Sequence, residues 1–356
     1  MDGTWGPGDP RPARLDSQLL LGAPAGSPES VVERLLAVQA QDERGFRLAV
    51  RSRTSGLIAA DVDDALSVRR SMVVTWLNRG TLHLVSSQDY WWLHPLTAPR
   101  MVTGNERRLR QEGVDEVQAD RGVDAIVEAV TSGGPQTRRD LRNRLRHGGI
   151  PTDGQAFVHL LAKASIGGFI VRGPVIDGEH AFVSVPDWLG TPSPPLERDD
   201  ALGTLVRRYL AGHGPATARD LAKWAGITLG DARRGLHVIA DEVADVGYGF
   251  ALAGRGAGGA HVPPPRLLGA FDPLLHGWVS RDPFVGSHGG VVTTNGIIRP
   301  VVLAEGRVVA TWGLPGGVVT VNPLERITPV ILDGVVHDAA DVQRFLGLEQ
   351  RPLAVG

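Results

Sequence analysis

Apolar residues recur at the three-to-four spacing of helices through the first two-thirds of the chain, broken by short runs in which they crowd together. Ser27-Pro28-Glu29 supplies a cap, a first-turn proline and a first-turn acid. Val31, Leu35, Leu36 and Val38 then predict a helix with one apolar stripe. Ala60–Leu66 predicts another short helix. Met72-Val73-Val74-Thr75-Trp76 and Thr81-Leu82-His83-Leu84-Val85 predict two strands around an Asn78-Arg79-Gly80 turn. A helical bridge rich in Trp and Arg is expected over Asp89–Leu109. Helices follow near Val123–Thr131, Arg138–Arg146 and Gly154–Ser165. Phe169–Val171 and Ala181–Val183 form a ribbon around Asp177-Gly178. After a Pro/Ser linker, Thr191–Pro195, the pattern restarts with helices near Leu202–Ala211, Ala218–Ala225 and Leu229–Val238. Beyond the Gly/Pro-rich Gly254–Pro265 the period becomes that of strands. Ile297–Leu303 and Arg307–Trp312 flank a Glu305-Gly306 hairpin signal. Gly317–Val321 and Thr328–Leu332 add strands, and a helix at Asp338–Leu346 closes the chain.

Two of these helical stretches share a phrase. Gly134-Pro-x-Thr137-x-Arg139-Asp140-Leu141 returns 80 residues later as Gly214-Pro-x-Thr217-x-Arg219-Asp220-Leu221, with six of eight positions identical. Each Gly-Pro stops the preceding helix and each Thr caps the next. The recurring Arg and Asp read as a structural pair. Helix, stop, capped short helix, longer helix and ribbon is the order of a winged helix-turn-helix module, and a duplicated module suggests an array lying along a duplex. The expected fold class is α+β: three tandem winged helix-turn-helix modules, the first divergent, plus a small barrel-like C-terminal β domain. The expected segments are a disordered lead-in at 1–14, modules at 15–110, 111–195 and 196–254, and the β domain at 255–356.

Composition changes this picture little, but charge placement does. The length of 356 residues allows about two or three domains. No apolar run reaches the ~18 residues that span a bilayer. Met1–Arg14 has no apolar core segment, so a cytoplasmic protein without a membrane partner is expected. The absence of Cys excludes disulfides, thiolate chemistry and cysteine-ligated zinc. Net charge is −2, which argues against a uniformly basic nucleic-acid binder. The Arg residues are clustered, however. Seven lie from Arg69 to Arg110 against Asp89 and Glu106, and five from Arg138 to Arg146 against Asp140. Arg138, Arg139, Arg142, Arg144 and Arg146 make the densest basic helix and are candidates for phosphate contacts. Lys163 and Lys223 are the only lysines, both in repeat helices.

Many catalytic signatures are missing: no phosphate-binding loop ending in Lys-Ser/Thr, no Gly-x-Ser-x-Gly elbow, no His-Glu-x-x-His. The 11 His are scattered without ligand spacing, so no metal or cofactor is expected. His83 alternates within a strand and reads as a structural histidine. Gln39 and Gln41 are two amides at the end of an apolar segment, Leu35-Leu36-Ala37-Val38-Gln39-Ala40-Gln41-Asp42. On a continued helix they diverge by about 200° and serve as capping or surface amides. They share a site only if the chain leaves the helix there.

That segment, with Ala25-Gly26-Ser27-Pro28, Thr75-Trp76-Leu77-Asn78-Arg79-Gly80-Thr81-Leu82-His83-Leu84-Val85 and Asp89-Tyr90-x-Trp92-Leu93, resembles a bacterial winged-helix DNA-binding family that includes the AlkZ-type DNA glycosylases. Gly269-Ala270-Phe271-Asp272-Pro273-Leu274-Leu275, Gly277-Trp278 and Arg299-Pro300-Val301-Val302-Leu303 with Val309-Ala310-Thr311-Trp312 fit the same family. The resemblance covers nearly the whole chain beyond the N-terminal tail. It implies three winged helices forming a basic concave surface, a β-hairpin that enters DNA, and excision of bulky or cross-linking alkylpurines. The family's Gln-x-Gln motif maps onto Gln39 and Gln41, with Asp42 a second possibility. An N7-alkylated purine is already an activated leaving group, so amide oxygens that position a water and face the developing sugar cation can suffice. Without a convincing amine nucleophile, the expected enzyme is monofunctional, a monomer acting on double-stranded DNA that carries alkylated purines. The hairpin is expected near the His276–Arg281 loop or the strands after it, at a tip the spacing does not place. Trp278 or Arg281 would probe the DNA, although Trp278 fits the core equally well. The other reading of these modules is a non-catalytic DNA-binding protein or transcriptional regulator, which would dimerise and read sequence.

Overall fold

In a computed structural model of the chain, residues 5–6, 8–176, 178–255 and 262–356 are described. They divide into two compact units. One comprises Met1–Val62, Leu202–Trp224 and Thr228–Gly356, the other Asp63–Ala201 and Ala225–Ile227. The boundaries expected from sequence cut across this division, because residues of the first expected module up to Val62 cluster with the C-terminal segments. The architecture is mixed α+β. Among the described residues, no helix is long and apolar enough to cross a membrane.

The first unit begins with a helix at Arg11–Ser17, with Leu15 fully buried and Arg14 nearly so. The expected disordered lead-in therefore does not extend to Arg14; residues 1–4 and 7 lie outside the described residues. Helices Pro28–Leu35 and Glu43–Arg51 flank a three-residue strand, Ala37–Gln39. Further along the chain come helices Ala218–Ala225 and Leu229–Val238 and the ribbon Val243–Asp245 with Phe250–Leu252. The C-terminal sheet has five strands, ordered Ala354–Val355, Thr320–Pro323, Arg307–Gly313, Val301–Ala304, Arg266–Leu268. It is an open sheet rather than a barrel. Glu305 and Gly306 both take positive φ, 49° and 69°, at the predicted turn. The predicted strand at Thr328–Leu332 is the start of a helix, Pro329–Phe345. Thr328 caps it by accepting from the Ile331 N–H, and Pro329 occupies the first turn. The β-branched run there masked a cap-and-proline helix signal.

In the second unit, Met72–Leu77 pairs antiparallel with Thr81–Ser86 around the predicted turn, where Asn78 and Gly80 take positive φ. Within this unit the strands run Thr81–Ser86, Met72–Leu77, Ile170–Ile176, Glu179–Ser184. Asp177, half of the expected wing turn, lies outside the described residues. Helices Glu116–Gly133, Arg138–His147 and Ala156–Ile166 precede this ribbon.

The two repeats do the same local work. Thr137 and Thr217 each accept from the N–H three residues on, at 3.2 Å, and each Thr hydroxyl donates a hydrogen bond to that residue's carboxylate in return. The recurring Asp thus pairs with Thr rather than with the neighbouring Arg. The third residue of each phrase exchanges two backbone hydrogen bonds with the following ribbon: Gln136 with Phe182 at 2.9 and 2.8 Å, Ala216 with Phe250 at 3.0 and 2.8 Å.

Candidate active site

Helix Pro28–Leu35 starts as predicted, with Ser27 Oγ accepting from the Ser30 N–H at 3.1 Å. It stops before its apolar stripe does. Leu36 takes a left-handed backbone, φ 63°, and the chain continues extended. Every residue from Leu35 to Ala40 is buried. A helix face would turn part of such a run outward, whereas an extended segment covered on both sides does not. In extended chain, residues two apart share a face. Gln39 and Gln41 therefore meet: Gln39 Nε2 donates to Gln41 Oε1. Gln39 is buried and Gln41 exposed, so a fixed amide holds one that faces solvent.

Asp42 starts the next helix. It is the N-cap of Glu43–Arg51, its Oδ1 accepting from the Gly45 N–H at 2.5 Å. That helix packs backbone against backbone on the Gly269–Phe271 segment. A Cβ on Gly45 would run into the Ala270 carbonyl oxygen, and one on Gly269 would come within 2.8 Å of the Gly45 oxygen. Next in the segment, Asp272 makes a fully buried bidentate pair with Arg53, at 2.8 and 2.9 Å. Arg53 also donates to Gln18 O at 2.8 Å and Ala49 O at 2.9 Å, which satisfies the buried guanidinium. Asp272 is thereby structural.

A short β-hairpin lies at residues 291–299, after the His276–Arg281 loop, and supplies the tip that the spacing alone did not place. Val292 bridges Ile298, Thr293 N donates to Ile297 O at 2.9 Å, and Arg299 N to Val291 O at 3.0 Å. Thr294, Asn295 and Gly296 are exposed at its tip and Ile297 is 48% exposed beside it. Asn295-Gly296 is a turn dipeptide that could have revealed it. The hairpin's base is joined to the same segment by Phe271 N donating to Ile298 O at 3.3 Å.

The expected DNA-probing Trp278 is a core residue. It is 4% exposed, its indole N–H donates to His213 O at 3.0 Å, and the Arg14 guanidinium stacks 4.6 Å from its ring centre. Burial with a satisfied N–H leaves it nothing to present to DNA. Arg281 is half-buried and donates to Leu275 O at 3.3 Å. On the basic helix, Arg144 and Arg146 pair with Glu128 and Asp153 at 2.7 and 3.0 Å. Arg138 and Arg142 lie over the Phe157 ring, and Arg139 is exposed. Lys163 pairs with Asp120 at 2.7 Å, and Lys223 donates to Val279 O at 2.9 Å. His83 is structural as expected: it is buried, its Nδ1 sits 2.9 Å from Thr81 O, and burial, helped by the Arg79 charge, lowers its pKa to about 3.

The family model of AlkZ-like DNA glycosylases matches residues 32–345, so the chain belongs to that family and is a DNA glycosylase. It is similar to the interstrand DNA cross-link repair glycosylase of Streptomyces sahachiroi, 27% identical over 380 aligned positions that cover 96% of this chain and 97% of the relative. The solved structure of Streptomyces sahachiroi DNA glycosylase AlkZ is similar at a TM-score of 0.80 and 25% identity, over 98% of both chains. Family membership favours the enzyme over the regulator.

Proposed function

We propose that this enzyme is a monofunctional glycosylase that acts as a monomer on duplex DNA. It hydrolyses the N-glycosidic bond of bulky N7-alkylpurines, interstrand cross-links included, in repair or in self-resistance to a genotoxin. The observation that carries this reading is the Gln39–Gln41 contact, made by two amides that the local helical pattern alone would have separated. A carbonyl oxygen has two lone pairs, so Gln41 Oε1 can accept a hydrogen bond from a water O–H as well as from the Gln39 N–H. The held water attacks C1′ as the bond to the base nitrogen breaks. The departing base keeps the electron pair and loses its positive charge, and the water's proton passes to solvent. Amide dipoles stabilise the cationic sugar without a strong base, which restricts the enzyme to activated bases.

In this reading the two Gly-Pro phrases head winged-helix modules, a divergent third lies within residues 15–110, and the β domain carries the hairpin. Support comes from the matching capping boxes and ribbon pairings of the two repeats. The hairpin tip at Thr294–Gly296 enters the DNA, and exposed Arg139 contacts phosphate. The test is incubation of duplex DNA carrying 7-methylguanine or a bulky N7 adduct, followed by alkaline cleavage at abasic sites. Gln39→Ala and Gln41→Ala are expected to lower the rate about 10²-fold or more while DNA binding persists. No breaks above a no-enzyme control across several adducts defeats the substrate assignment. Fully active Gln variants defeat the site.

A further inference from the structure

Three features of the first unit converge on one residue. Gln41 is the exposed member of the amide pair, and the residue after it, Asp42, is where extended chain turns into the helix Glu43–Arg51. The Asp42 carboxylate takes the Gly45 N–H at 2.5 Å, and its backbone oxygen takes the Phe46 N–H at 3.1 Å. Gly45 is in turn wedged against Gly269 and Ala270, at a contact too close for any side chain. The next residue, Phe271, is bonded to the hairpin base at Ile298. One continuous set of backbone contacts thus runs from the hairpin through Gly269–Phe271 and Gly45 to the Asp42 cap, and from there to Gln41.

A carboxylate beside the proposed water site invites assignment as a general base. The geometry points instead to Asp42 as a positioning residue: we infer that its carboxyl group acts by capping Gly45, fixing the direction in which Gln41 leaves the helix, and takes no proton in the reaction. The cap needs only a side-chain oxygen on a short stem. Asn and Ser cap helices about as well as Asp, and Ala does not cap at all. A general base needs the carboxylate itself. The substitutions therefore separate the two roles.

This inference rests on the Gln39–Gln41 reading, and the experiment distinguishes failure of either. Wild type, Asp42→Asn, Asp42→Ser, Asp42→Ala, Gln39→Ala and Gln41→Ala are assayed in single turnover on a duplex with one 7-methylguanine, over a range of pH. DNA affinity and the circular dichroism spectrum of each variant are recorded as well. Asp42→Asn and Asp42→Ser are expected to keep the rate within about threefold, with a pH profile that overlays the wild type. Asp42→Ala is expected to lose about 10²-fold in rate at unchanged DNA affinity, because a misaimed amide mispositions the water. If Asp42→Asn loses activity as completely as Asp42→Ala while folded and DNA-bound, the carboxylate is chemical and the inference is overturned. Full activity in Asp42→Ala overturns it from the other side. Should Asp42→Ala fail to fold, Asp42→Ser decides: activity retained supports a cap, activity lost overturns it. Fully active Gln39→Ala and Gln41→Ala remove the amide pair from the mechanism whatever the Asp42 variants do.

Discussion

The two copies of the Gly-Pro-x-Thr-x-Arg-Asp-Leu phrase have the same backbone duties and opposite surroundings. In the first copy Pro135 and Asp140 are exposed, and the Asp140 carboxylate is bonded to Thr137. In the second, Gly214, Pro215 and Ala216 are buried. Ser17 Oγ donates to Gly214 O at 2.7 Å, and Arg14 Nε to Pro215 O at 3.1 Å. The Asp220 carboxylate bonds to Thr217 on one oxygen, and on the other it takes the Val279 N–H at 2.7 Å. A capping box therefore sets the helix start wherever it occurs. The same box becomes a tertiary joint when a second segment finds its spare oxygen.

The sharpest break between the copies is expected at the shared aspartate. Asp220→Ala loses the acid half of the capping box and also leaves the Val279 N–H without its charged acceptor, a loss of about 3 kcal/mol in denaturant unfolding. Equal destabilisation by Asp140→Ala would show that the two copies do not differ in this way.

Acid should act on the second copy through His213, which immediately precedes it. Burial, opposed by the Tyr209 carbonyl and reinforced by the Arg53 charge, lowers its pKa to about 3. A folded pKa below the unfolded value of ~6.5 means that its stability contribution is complete above about pH 6.5 and is lost as pH falls toward 3. His213 and the similarly depressed His83 should each give a slope of about 1.4 kcal/mol per pH unit across that window. Urea unfolding at stepped pH should show His213→Phe losing one proton's worth of slope. An unchanged slope would rule out a neutral buried His213.

Asp140→Ala comes next, at about 1 kcal/mol, the cost of losing the solvated acid half of a capping box alone. Smallest in stability is Arg139→Ala, expected to stay within about 0.5 kcal/mol of wild type. Its effect belongs to DNA: the slope of log affinity against log salt should flatten by about 0.9, one phosphate contact. No change in that slope would remove Arg139 from the DNA-facing set.

Much of this was legible beforehand because it is local. Ser27, Thr137 and Thr217 announce their helices by chemistry within three residues, and Glu305-Gly306 announces its turn. Leu36 announces nothing. Leucine has no preference for positive φ, and only the burial of all six residues from Leu35 to Ala40 explains why the helix yields there. Trp278 was ambiguous for the same reason, since an indole serves core and DNA equally until its neighbours are known. Asp272 looked like part of a motif, and its partner Arg53 lies 219 residues away.

By itself, then, the sequence determined the caps, the turns, the duplicated phrase and the residue types on which the proposed amide chemistry rests. Short-range hydrogen bonds and backbone sterics depend on residues a few positions apart. Tertiary structure alone decided that Gln39 and Gln41 share a face and that one repeat is a joint while the other stays solvated. Each of those outcomes depends on which distant segment buries the apolar surface or takes the remaining polar group, and that choice is made over the whole fold.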